Sequence, residues 1–144
     1  MAITQAVCNS FKSELMQAMH NFTTSTGHAF KIALYTSAAA LDASTTVYST
    51  SSEVIGTGYT AGGTGLTNVT PVLSGSTAYT DFNPDITWGT STITARGALI
   101  YNTNAAANKA VVVLDFGSDK ISSAGDFTVT FPAPAAGTAI IRIA

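Results

Sequence analysis

The side chains that could do chemistry in this 144-residue sequence are few and far apart. Gly56, Gly58 and Ala61 fit the G-x-G-x-x-G/A spacing of a dinucleotide-binding turn, and Asp81 falls about where a ribose-binding acid would stand. That chemistry needs a strand before the glycines and a helix after them, because the helix N-terminus holds the pyrophosphate. Gly62, Gly63, Thr64 and Gly65 follow instead, so the run reads as turns in a glycine-rich segment and no cofactor is expected. His20 and His28 are the only histidines, and Cys8 is the only cysteine. A metal centre wants more ligands at regular spacing, so the expectation is no metal, with His20 in a last helical turn and His28 near the surface. A partly protonated His20 would there meet the negative end of the helix dipole. Asp81 and Asp85 flank a proline turn, and Asp115, Asp119 and Asp126 surround a loop from Gly117 to Gly125. This spacing suits aspartates that cap turns, and is sparser than a calcium loop. No G-x-S-x-G is present, so a protein without catalysis is expected.

The elements that would carry these residues follow from periodicity. Ile3, Val7, Phe11, Leu15, Ala18 and Phe22 recur at three- and four-residue steps, which predicts an N-terminal helix over 1–24 with Thr4 as N-cap. Phe30 to Thr36 alternates as a strand. A long Ala/Ser/Thr/Gly stretch over 37–65 reads as an ordered arm or lid, with Tyr48 and Tyr59 as its large anchors. Leu66 to Leu73 reads as an edge strand broken at Pro71. Thr92 to Tyr101 and Phe127 to Phe131 alternate, Ile86 to Trp88 is short, and Ala110 to Phe116 is apolar enough for a strand buried on both faces. The fold class is therefore α+β and predominantly antiparallel β, a β-sandwich or barrel-like sheet with the helix packed on it. One domain over 1–144 is expected, with its main β region at 66–144.

Composition narrows the partners. Charged residues are 10% of the chain against about 25% in ordinary domains, while hydrophobic residues stand at a normal 46%. Val54 to Thr80 carries no charge at all. Such a segment is too polar for a membrane span, and is expected to lie against another subunit. Six scattered Lys and Arg residues and a net charge of −2 exclude the basic face that nucleic acid requires. No basic region followed by an apolar stretch opens the sequence, and no run approaches the roughly 20 apolar residues of a spanning helix, so neither signal peptide nor membrane partner is expected.

Five segments carry a resemblance: KIALYTS at Lys31 to Ser37, YSTSSEVIGTGYTAGGTGL at Tyr48 to Leu66, ITARGALIYN at Ile93 to Asn102, VVVLDFGSDK at Val111 to Lys120, and AIIRIA at the C-terminus. Together they resemble a widespread group of small virion structural proteins of tailed bacteriophages, over nearly the whole chain. The resemblance implies a non-enzymatic particle component, made in the bacterial cytoplasm and assembled in many copies. Size and the absence of repeats favour a capsid decoration (cement) protein that binds the major capsid protein or another virion protein. A neck, tail or fibre-base component is the alternative, as is a host-surface carbohydrate-binding module with Trp88 and Tyr79 in a shallow groove. A homo-oligomer is the default, and a trimer would suit three-fold positions of a shell. Tyr48, Val54, Ile55, Tyr59 and Leu66 in the arm, with Met16 and Met19 on the helix, are the expected contact residues. Tyr59→Asp would then weaken assembly and leave the monomer folded.

Overall fold

The structure, a computed structural model, describes residues 2–144. Among them, eight strands and one short helix form two antiparallel sheets in a sandwich-like α+β arrangement. In chain order the elements are β1 (Ala6–Val7), α1 (Asn9–Met16), β2 (Phe30–Tyr35), β3 (Thr64–Gly65), β4 (Asn68–Ser74), β5 (Thr77–Phe82), β6 (Ile86–Asn102), β7 (Lys109–Val129) and β8 (Ile141–Ile143). The larger sheet runs β1-β7-β6-β2-β3, and the smaller runs β4-β5-β8. Phe82 at the end of β5 joins Phe22, Phe30 and Phe131 in an aromatic cluster, with ring centroids 4.4 to 6.3 Å apart.

The helix is much shorter than its spacing predicts. Ala6 and Val7 pair with Val113 and Val112 of β7, Cys8 N–H donates to the Val111 carbonyl, and Thr4 N–H, far from capping a helix, donates to Leu41. Sheet pairing holds Cys8 extended, so the helix starts only at Asn9 and has no side-chain cap. It closes after two turns, and Ala18 takes a left-handed φ of 58°. Ile3, Phe11 and Phe22 all reach the core as an apolar stripe would require, but from a bridge, a helix and a loop.

The expected strand at Phe30 is present and central, with every residue but Lys31 buried. β6 and β7 form one long hairpin of 17 and 21 residues, which absorbs the strand pieces and the loop expected from Ile86 onward and ends at Val129, two residues short of the expected Phe131. Register jumps from Gly97↔Asp115 to Ala95↔Lys120, so Phe116 to Asp119 bulge out opposite Arg96. Asp115 Oδ1 stabilises the bulge by accepting from Gly117 N–H at 2.9 Å and Arg96 Nε–H at 3.0 Å. These two bonds, Gly117 first, hold its carboxyl below the usual carboxylate range.

The stretch 37–63 is a strap on the body. Accessible surface totals 7003 Å², whereas a compact monomer of 14.7 kDa has about 6,900 Å². An arm reaching outward would raise that total well above the compact value. Val47 bridges to Lys109 and Glu53 to Tyr35, and Val54 N–H donates to Leu34.

Candidate assembly surface

The strap is fastened by one carboxylate. Glu53 is buried, and its Oε2 accepts from Tyr48 Oη–H at 2.6 Å while Oε1 accepts from Tyr59 Oη–H at 2.6 Å and Gly62 N–H at 2.7 Å. Tyr59 Oη in turn accepts from Leu34 N–H, and Tyr101 Oη–H donates to the Gly62 carbonyl. Tyr48 stacks on Tyr101 with centroids 4.5 Å apart. Burial, followed by the bonds to Glu53, raises the pKa of Tyr48 and Tyr59. Burial and the Glu53 charge push Tyr101 up to about 12. All three phenols therefore stay protonated as donors. Gly56 and Gly63 belong to this fastening: a Cβ at Gly56 would fall on the Thr92 carbonyl oxygen, and one at Gly63, where φ is +73°, on that of Ile32. The dinucleotide-like spacing thus marks close approach of two backbones, and β3 follows it rather than a helix.

The single chain places the expected contact residues in different settings. Val54 lies in the core, Tyr48 and Tyr59 spend their hydroxyls on Glu53, and Leu66 is half-buried against the core. Met19 is half-buried in the connection after α1. Of the seven, only Met16 at 86% and Ile55 at 98% relative exposure present their side chains outward. Tyr59→Asp would set a second carboxylate against Glu53 and disturb the monomer itself.

The titratable groups are placed differently from the sequence reading. His20 lies beyond the helix end, buried, with Nε2 2.8 Å from Oε2 of Glu14, and His28 Nδ1 is 2.9 Å from Nδ2 of Asn102. Cys8 is fully buried, and burial pushes its thiol up to about 11. Asp81 is buried and accepts from Phe82 and Ile140 N–H groups, tying β5 to the approach to β8. Among the described residues no three His, Cys, Asp or Glu side chains cluster as metal ligands, and no helix is long and apolar enough to cross a membrane.

What stands out instead is one face of the smaller sheet. Leu73 opposes Ala78, and Ala78 opposes Ile143, so the three side chains form a cross-strand row on one face. Alternation puts Thr80, Phe82 and Ile141 on that same face, where they are buried. The face runs outward from this buried base to a bare end, with Leu73 70% and Ile143 54% exposed. Between the sheet and the body lies a groove of about 130 Å³ lined by Leu15, Phe22, Pro71, Ala78, Ile141 and Ile143 among others, none of them charged.

Comparison with known protein families, curated proteins and solved structures found no match.

The overhanging row is what sequence reasoning missed. Its signal was present in an uncharged edge strand broken at Pro71 and in the apolar AIIRIA run, but their pairing through β5 was not. Trp88, which a sugar-binding groove would need on the surface, is buried between Tyr59 and Phe127.

Proposed function

We propose that this chain is a non-enzymatic structural subunit of a tailed-phage particle, a decoration protein that attaches to the shell through the overhanging face of β4, β5 and β8. The observation that carries the attachment reading is the Leu73–Ala78–Ile143 row, a continuation of the core left uncovered. The phage assignment itself is supported by the resemblance of the five segments. Covering what remains exposed of Leu73 and Ile143 would contribute about 2–4 kcal/mol, no more than the rigid-body freedom lost on association. One such contact binds weakly, so the face suits a partner that presents many fixed sites, as a shell lattice does. The absence of charge from the groove lining agrees with a surface made to be covered.

Leu73→Asp tests this reading. The side chain is mostly exposed, so the monomer should fold with its thermal midpoint unchanged. Mixed with shells lacking the protein, the variant should fail to co-sediment, whereas wild type should bind in hundreds of copies. Equal binding by both chains would overturn the assigned face. A dozen or fewer copies would move the protein to the neck or tail.

A further inference from the structure

The connection between α1 and β2 is held by a chain of four polar side chains that the assembly surface does not use. Asn102 is fully buried at the end of β6, and its Oδ1 accepts from Asn104 N–H at 2.9 Å. That bond fixes the orientation of the amide. Its Nδ2 then faces Nδ1 of His20 at 3.0 Å, Nδ1 of His28 at 2.9 Å and the Met19 carbonyl at 3.3 Å. An amide nitrogen only donates, and its two protons go to the two nearer partners, so each Nδ1 offers a lone pair while the Met19 carbonyl is the weakest contact. The remaining proton of His20 sits on Nε2 and donates to Glu14 at 2.8 Å.

We propose that Glu14, His20, Asn102 and His28 form a proton-sensitive latch that holds residues 17–29 on the two sheets at neutral pH and releases them in acid. Adding a proton to either Nδ1 sets N–H against N–H, and Asn102 cannot flip to receive it without abandoning Asn104. The groups facing His20 are Glu14 from α1, Lys109 from β7 with Nζ 3.7 Å from the other Glu14 oxygen, His28, and the rings of Phe11 and Phe30. Glu14 alone favours a charged His20. Burial opposes it more strongly, and Lys109 and His28 add to the opposition, so the ring's pKa lies below its usual value.

Release would reach the smaller sheet. Thr24, within the latched connection, covers the β4 edge: its Oγ1–H donates to the Asn68 carbonyl at 2.8 Å, and its N–H donates to Thr70 Oγ1 at 3.0 Å. Phe22 stacks on Phe30 at 4.4 Å and lines the apolar groove. Freeing 17–29 would bare the β4 edge and widen the groove, so acid would expose more of the attachment face. That last step rests on the assembly reading, but the latch itself does not.

The test is an NMR titration of the full chain from pH 7.5 to 5.0, following both imidazole Cε1–H signals and the backbone amides. The amides of 17–29 and the Asn102 side-chain NH₂ should shift together with ring protonation. Exchange of the 17–29 amides, corrected for intrinsic pH dependence, should rise at least about tenfold while β2 and β6 stay protected. His28→Gln lies at the rim of the network and supplies an uncharged acceptor, so it should fold and move release to lower pH. Asn102→Asp, where it folds, should reverse the response, because a carboxylate accepts from protonated rings. Protonation of both rings with 17–29 unmoved, rings that stay neutral to pH 5.0, or release in His28→Gln at the wild-type pH would each overturn the latch. None of these readouts involves shells, so the latch can fail while Leu73→Asp still abolishes attachment, and the reverse.

Discussion

Glu53 shows how one side chain can organise 27 residues with little secondary structure. It receives three donors from the strap at 2.6 to 2.7 Å in a buried setting. Glu53→Ala would leave two phenols and the Gly62 N–H without an acceptor, at about 1–3 kcal/mol for each group left buried and unpaired. Urea unfolding should therefore show a loss on the order of 3 kcal/mol or more, with Glu53→Gln intermediate because it keeps one acceptor oxygen. A loss below about 1 kcal/mol would mean that the strap is held by packing alone. Tyr48 and Tyr59 were legible as anchors because large aromatics stand out in a small-residue stretch. Their common acceptor was not, since a single Glu carries no periodicity and its burial depends on residues 5 and 6 positions away meeting it from both sides. His20 belongs to the same scale. Its folded pKa is depressed, so the unfolded chain takes up a proton that the native ring refuses. The associated stability is complete above the unfolded value of about 6.5 and declines as pH falls below it, at up to about 1.4 kcal/mol per pH unit for one proton. Urea midpoints at pH 7.5 and 5.5 in matched ionic strength should show that decline, and equal midpoints would contradict it.

At the level of elements, strands read well and connections did not. Phe30 to Tyr35 and the alternation from Thr92 to Tyr101 carry the period of two that sheets impose, and both appear. The helix was over-read because an apolar residue every three or four positions is equally satisfied by a bridge at Ile3, a strand at Val7, a helix at Phe11 and a loop at Phe22. Pairing of Ala6 and Val7 with β7 overrides local propensity there. The β6–β7 hairpin was read in pieces because its bulge at Phe116 to Asp119 and its Gly and Ser residues look like loop chemistry. Close approach at Gly97 is what joins β1's neighbourhood to this hairpin. A Cβ at that position would stand 2.5 Å from the Leu114 carbonyl oxygen and 2.9 Å from Cγ2 of Ile3. Gly97→Ala should consequently destabilise by about 1–3 kcal/mol, as overpacking does. Gly65→Ala, with nothing within 4 Å of the new methyl, should stay within about 0.5 kcal/mol of wild type. Comparable losses in both variants would point to a backbone effect rather than to the contact.

For the whole molecule, charge depletion now has a location. Apart from Ile55, the strap at 37–63 turns its large side chains inward, so the missing charges matter most where the smaller sheet overhangs the body. β4 and β8 are the two edges of that sheet, and Thr24 covers the Asn68 and Thr70 part of β4. An edge without charges, beside an apolar row, is what native proteins ordinarily avoid leaving bare. Association through it should carry the signature of apolar burial. With no charged side chain in the groove lining, raising NaCl from about 0.05 to 0.5 M should leave affinity for shells within about twofold, since screening has little to act on. Sulfate should strengthen binding, and cooling from 25 to 4 °C should weaken it, because hydration of apolar surface is the driving term. Titration calorimetry should return a negative heat-capacity change. A steep fall in affinity with NaCl would instead place the contact on Lys12, Arg96 or the other scattered charges, away from the Leu73–Ala78–Ile143 row.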